Sequence, residues 1–340
     1  MIFIRLTLMP ERRAARSPPP SAATPRTRGP RGGAAGATLV ALAALSAGAG
    51  GLIDPLSSNF GRMPLLAAAV GVWALWCGDL RVAPLTVAFW SFAAQQHLSV
   101  LPAAAVLGAA GLAAVAWTLW RAPAGDRRGG LGWVGGAIGL GLVLWSPVLY
   151  QQATGDPGNL TALAGYSGDG ARQDLGLRAA VNQVANVLGP RPFLGRSGVD
   201  GWDLVSHRST LGILLTFALL GAVLIGGAWW RRRDARFVAA VGMIGVLAVA
   251  AVITGMNIPA SPEQGRLNLY HWAFALSFFE LLVFGWLLAR LAPVVTPNLT
   301  HGRPLTAVAA AAVIVAAVAA TPLVVHRTTD RLLQPLEASV

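Results

Sequence analysis

The chain has 340 residues, 55% of them hydrophobic and 12% charged, with a mean hydropathy of +0.59, which is too apolar for a soluble domain of this length. The formal net charge is +12 and every one of the 26 Lys+Arg residues is an arginine; in a membrane protein such a bias reports topology before it reports nucleic-acid binding. The lone Cys77, inside an apolar run, excludes an internal disulfide and a cysteine metal cluster.

Residues 1–35 begin with a short apolar stretch, Met1–Met9, ended by Pro10. Residues 11–33 then carry six arginines and five prolines, the composition of a disordered, basic cytoplasmic tail. A polybasic patch on anionic lipid is the other reading of this tail. A signal peptide is not expected, because the arginines stand between the two apolar stretches and no clear small-residue cleavage site follows.

Stretches able to cross a bilayer, which takes about 20 helical residues, fall near 36–53, 62–78, 83–98, 102–120, 131–150, 209–230, 237–256, 267–290 and 304–326. The predicted fold is an all-α membrane protein of about nine transmembrane helices. Its parts are helices one to five in 36–150, a long extracytoplasmic loop at 151–208, helices six to nine in 209–326 and a tail at 327–340. The pair 83–98 and 102–120 also admits a different division, since little more than Pro102 separates them. With the N-terminus cytoplasmic, the inner segments hold 17 arginines and 4 acids against 9 and 9 outside, and Glu280 is left within a span. The anchors are Arg121 with Arg127 and Arg128, and Arg231–Arg233 with Arg236. This places the protein in the plasma membrane as a multi-pass chain with the 151–208 loop outside.

On that topology, polar residues gather at the outer face. Asp54 and Asn59 occupy the first outer turn, Gln95, Gln96 and His97 end the third span, and Gln151 and Gln152 end the fifth. Each alone is an ordinary helix end meeting water, but the coincidence marks a pocket. His97 can bind an anionic or hydroxylated group and change charge near neutral pH; a hydrogen-bonded interfacial histidine is its bland reading. Glu280 lies mid-span, where an acid is costly and by default points to function or to a partner. His271 lies nine residues earlier on a similar face.

In the long loop, Asp156-Pro-Gly-Asn159 has turn chemistry. From Asp174 the pattern turns helical, with Leu177, Val181, Val184 and Leu188 on one stripe and Arg178, Asn182, Gln183 and Asn186 on the other. That pattern predicts an amphipathic surface helix lying on the outer membrane face. A Walker-type phosphate loop, a dinucleotide glycine fingerprint and zinc-like His/Cys spacing are all missing from the sequence, so no cofactor and no metal site is expected.

The succession Asp54-Pro-x-x-x-Asn59, Ser91-Phe-Ala-Ala-Gln-Gln-His97 and Trp145-Ser-Pro-Val-Leu-Tyr-Gln-Gln-Ala-Thr-Gly-Asp-Pro-Gly-Asn-Leu160 resembles large actinobacterial integral membrane proteins of the GT-C glycosyltransferase superfamily. These are related to polyprenyl-phosphate-dependent mannosyl- and aminoarabinosyltransferases. The resemblance covers roughly residues 37–290. It implies an enzyme that moves a sugar from a polyprenyl-phosphate donor to a cell-envelope acceptor at the outer face, with membrane lipid as its surroundings and no nucleic-acid partner. Asp54 would be the base and His97 would steady the leaving phosphate; Asn59, Gln96, Gln152, Asn159, Arg172 and Arg178 would bind substrate, with Arg62 a further outer cation. The sequence departs from the family in having no large acidic outer loop after a first span. The chain therefore reads as N-terminally shortened, with the usual base missing or replaced; either Asp54 takes that role or the chain is inactive. Two other readings stand beside it: a transporter or lipid-handling permease using Glu280 and His271, and a non-catalytic membrane protein.

Overall fold

The computed structural model describes residues 61–167, 174–188 and 210–258, together with Leu269, 271–273, 275–280, 282–284 and Trp286. The tail 1–35, the expected spans 36–53 and 304–326, the segment 327–340, and the candidate residues Asp54, Asn59 and Arg172 lie outside the described residues. Among those described, regular structure is helical and there is no strand.

The helices are α1 (Arg62–Trp76), α2 (Ala83–Gln96), α3 (Leu101–Arg121), α4 (Ala124–Thr154), α5 (Asn159–Ser167), α6 (Gly176–Leu188), α7 (Thr210–Trp230) and α8 (Ala235–Met256). Residues Ala275–Phe284 form a further short apolar helix, α9. Among the described residues, four stretches are long and apolar enough to cross a membrane: Leu98–Arg121, Ala124–Thr154, Thr210–Trp230 and Ala235–Met256. The expected spans 62–78 and 83–98 are helical but short, with 15 residues in α1 and 14 in α2. Helices of that size are about 22 Å long, less than the roughly 30 Å of a hydrocarbon core. The stretch 83–120 divides into two helices at His97, whose backbone is extended, followed by a 3-10 turn at Leu98–Val100.

Small residues let the first four helices approach closely. A Cβ on Gly71 of α1 would collide with the Thr86 side chain of α2, and one on Gly108 of α3 would stand 3.1 Å from the Trp90 ring. Trp90 donates to the Ala104 carbonyl at 2.6 Å and stacks on Trp145 of α4, whose indole N–H donates to Ser91 Oγ at 3.0 Å. Helix α4 runs through Pro147, which cannot donate to the carbonyl of Val143; Ser146 Oγ supplies that bond at 2.8 Å.

Three arginine-bearing turns meet at one end of the bundle. Trp73 near the end of α1 donates to the Arg236 carbonyl at 2.9 Å, and Thr118 near the end of α3 donates to the Leu75 carbonyl at 2.9 Å. Arg127 closes the end of α3 by donating to the carbonyls of Trp120 and Ala122. Tryptophans flank the arginines: Arg121 lies 4.0 Å over the Trp117 ring, Arg232 5.0 Å over Trp229 and Arg231 5.4 Å over Trp230. The alternation of apolar run and arginine turn thus has a spatial counterpart, an arginine end and an opposite polar end.

The 151–208 stretch is not a simple loop. Residues 151–154 complete α4, and α5 and α6 follow. Helix α6 also corrects the surface-helix expectation. It packs along α8 and against α7, and every residue from Asn182 to Leu188 is buried, including Asn182, Gln183 and Asn186 of the supposed water-facing side. Of its expected apolar stripe, Leu177 is exposed instead. The physical reason is that this polar face is made of amides, which can be buried when hydrogen-bonded at far less cost than charges. The one charged member, Arg178, is exposed in the first turn.

Candidate functional site

The polar end is assembled from helix termini. Helices α2 and α4 run side by side in the same direction, with Gly141 against Val87 and Trp145 bonded to Ser91. Counting on from that pair, Gln96 and Gln152 end within about one helical turn of each other in height. Gln95 adds a bond from its amide to the Leu144 carbonyl at 3.3 Å. The backbone N–H of Leu175, just before α6, donates to the Ile258 carbonyl at 3.0 Å, which brings the start of α6 to the far end of α8.

Gln152 and Asn159 act first on each other's segments. Gln152 Oε1 accepts from the N–H groups of Leu160 at 2.6 Å and Thr161 at 3.3 Å, and its amide donates to Thr161 Oγ1 at 3.0 Å. It thereby caps the N-terminus of α5. The Asn159 amide donates to Gln151 Oε1. The predicted turn at Asp156–Asn159 is present, with a cis Asp156–Pro157 peptide. Gly158 is required there, because a Cβ would lie 2.6 Å from the Gln152 carbonyl oxygen.

His97 lies in the extended link outside both flanking helices. Its Nδ1 accepts from the Ser99 N–H at 3.1 Å and stands 2.8 Å from Ser99 Oγ. An accepting Nδ1 leaves the ring proton on Nε2, and partial burial lowers the pKa from 6.5. The ring is therefore neutral at neutral pH and offers Nε2–H as a donor rather than a full positive charge. Gln96 beside it is half-buried and makes no hydrogen bond among the described residues, so its amide is available. Arg178 is exposed on the first turn of α6. Arg62, starting α1, is almost fully buried and serves the packing of that end. The structure thus brings Gln96, His97, Gln152 and Asn159 to the end of the bundle where α6 and Arg178 also begin.

A second polar region lies deep in the bundle around Glu280, which the sequence had singled out; what sequence reasoning missed is that the amides of α6 are buried beside it. Ser277 Oγ of α9 donates to the Val187 carbonyl of α6 at 2.7 Å. Glu280 is 0% exposed, and neither carboxyl oxygen has a hydrogen-bond partner among the described residues. The signal in the sequence was the run of Asn and Gln on α6 with no charge after Arg178. His271 opens a 3-10 turn at His271–Ala273 ahead of α9, but its side chain lies outside the described residues. No cluster of three His, Cys, Asp or Glu residues able to hold a metal occurs among those described.

No family model, no curated protein and no solved structure matches this chain.

Proposed function

We propose that this is a membrane glycosyltransferase of GT-C type, taking a sugar from a polyprenyl-phosphate donor and passing it to a cell-envelope acceptor at the polar end of the bundle. The observation that carries the reading is the separation of the two ends. Arginine turns collect at one, while uncharged hydrogen-bonding side chains from α2, α4 and α5 collect at the other. By the positive-inside rule the arginine end is cytoplasmic and the polar end faces outward, where such donors present their sugars.

In this reading the available Gln96 amide and the Nε2–H of His97 hydrogen-bond sugar hydroxyls or a phosphate oxygen. Arg178 supplies the positive charge that a neutral His97 does not, with Arg172 as a second cation. Gln152 and Asn159 hold the α4–α5 corner against which the sugar rests. Asp54, with Asn59 beside it, is the candidate base that takes the acceptor hydroxyl proton. Membranes containing the chain, given a labelled polyprenyl-phosphate sugar, are expected to transfer label to an envelope acceptor, and Asp54→Asn to abolish the transfer. An absence of turnover in the unaltered chain rejects the reading.

A further inference from the structure

Helix α6 enters the bundle from the polar end and stops partway. Its start is tied to Ile258 at the far end of α8, and Val187 near its last residue is tied to Ser277. Below that level, Trp286 packs edge-on against Phe237 at 5.5 Å and Trp73 at 5.7 Å, both at the arginine end. At 1.5 Å per residue, Val187 lies about 18 Å beyond Leu175, and Ser277 about 13 Å above Trp286. Together they fill the roughly 31 Å of α8 between Ile258 and Phe237, so α9 runs antiparallel to α8. The end of α6 therefore stands in the interior of the bundle.

Glu280 follows Ser277 by three residues and shares its face of α9, so the carboxyl group lies just past the C-terminal end of α6. The last four carbonyls of a helix lack partners within it and carry the negative end of its dipole. Ser277 satisfies one, that of Val187. A bare carboxylate here would face partial negative charge with no counter-ion: Glu280 has no ion pair among the described residues. The charged groups on the packed elements stand at the bundle ends, Arg62 and Arg178 at the polar end, Asp234 and Arg236 at the other. Two further buried oxygens lack hydrogen-bond partners among the described residues, Thr254 Oγ1 of α8 and Gln183 Oε1 of α6. With Glu280 they fall at successive depths of about 6, 12 and 22 Å from the polar end.

We propose that Glu280 and the C-terminal end of α6 form a binding site for one monovalent cation, a proton or a sodium ion, reached from the polar end past Thr254 and Gln183. Oxygens on three helices with no partner among the described residues, close to the C-terminal end of α6, suit a small positive charge. A single carboxylate that belongs to no group of three His, Cys, Asp or Glu among the described residues does not suit a divalent metal.

The test uses the full chain in lipid nanodiscs and dicyclohexylcarbodiimide, an apolar reagent that labels protonated carboxyl groups buried in membranes, with the adduct located by peptide mass spectrometry. For a proton site, labelling of Glu280 falls several-fold as pH rises and is indifferent to sodium replacing choline. For a sodium site, sodium protects Glu280 several-fold at fixed pH and ionic strength. Either result supports the site, and Glu280→Gln removes the labelled peptide. Because that variant can fail to fold, the deciding measurement is on the unaltered chain. Labelling of Glu280 that is absent, or unchanged by both pH and sodium, overturns the proposal.

Discussion

The α4–α5 corner and the α6–α9 junction are both built from polar side chains, yet they spend them in opposite ways. At the corner, Gln151, Gln152, Asn159 and Thr161 bond one another within reach of solvent, so every acceptor has a donor or water. At the junction, Ser277 and Val187 make one bond, while buried oxygens of Glu280 and Gln183 have no partner among the described residues. A buried unpaired polar group costs about 1–3 kcal/mol, more if charged, so the junction carries a cost that the corner does not. The corner spends its polar groups on scaffold, and the junction leaves them for the proposed cation.

The contrast can be broken at three points. The largest effect is expected from Asn186→Lys, because Asn186 is 0% exposed and a lysine there forces a charge into the interior. It should expel α6 from the bundle, seen as a collapse of the thermal transition and as rapid proteolysis within 176–188; a variant that melts like the unaltered chain contradicts the buried position of α6. Next, Ser277→Ala leaves the Val187 carbonyl unbonded and should destabilise by about 1–3 kcal/mol, measured as a lowered melting temperature in detergent. The smallest effect belongs to Gln152→Ala. Its bonds are replaced by water, so global stability should drop by no more than about 0.5–1.5 kcal/mol, while amide exchange at Leu160 and Thr161 quickens. Protection unchanged at those two amides would remove Gln152 from its capping role.

How much of this could be read from the sequence depended on what each residue faces. The spans at 102–120, 131–150, 209–230 and 237–256 stand out because an apolar run ends at arginine or at a turn, and the helices found there agree to within a few residues except in α4. That helix extends to Ala124 and Thr154 because Gly-Asp-Arg-Arg and Tyr-Gln-Gln-Ala-Thr tolerate helical backbone; hydropathy stops at the interface and the helix does not. Helices α7 and α8 show the other limit. Their hydropathies are 2.3 and 2.6, yet only Leu224 and Gly227 are buried in α7, whereas α8 buries a full face including Phe237, Met243, Leu247 and Ala251. An apolar sequence announces entry into an apolar medium without distinguishing lipid from protein. The same ambiguity misplaced α6, whose amides suit either water or a hydrogen-bonded interior. Of the candidate site, the gathering of Gln96, His97, Gln152 and Asn159 at one end was legible from topology alone, while the private bonds of Gln152 and the capping by His97 Nδ1 depend on turn geometry.

The tryptophans beside Arg121, Arg231 and Arg232 act as a waterline for the whole molecule. Such rings settle at the boundary of a bilayer, which fixes how deeply the bundle floats. Measured from there, α4 with its 31 residues is about 46 Å long, some 16 Å more than a hydrocarbon core of about 30 Å. About twenty residues on from Ala124 cross such a core, so the excess begins near Leu144 and carries Gln151 and Gln152 about 10 Å beyond it. With the tryptophans at such a boundary, the corner formed by α4 and α5 would stand outside the hydrocarbon core, at the outer margin of the headgroups, so the proposed lipid-borne donor would reach it with its head and leave its tail behind in the leaflet.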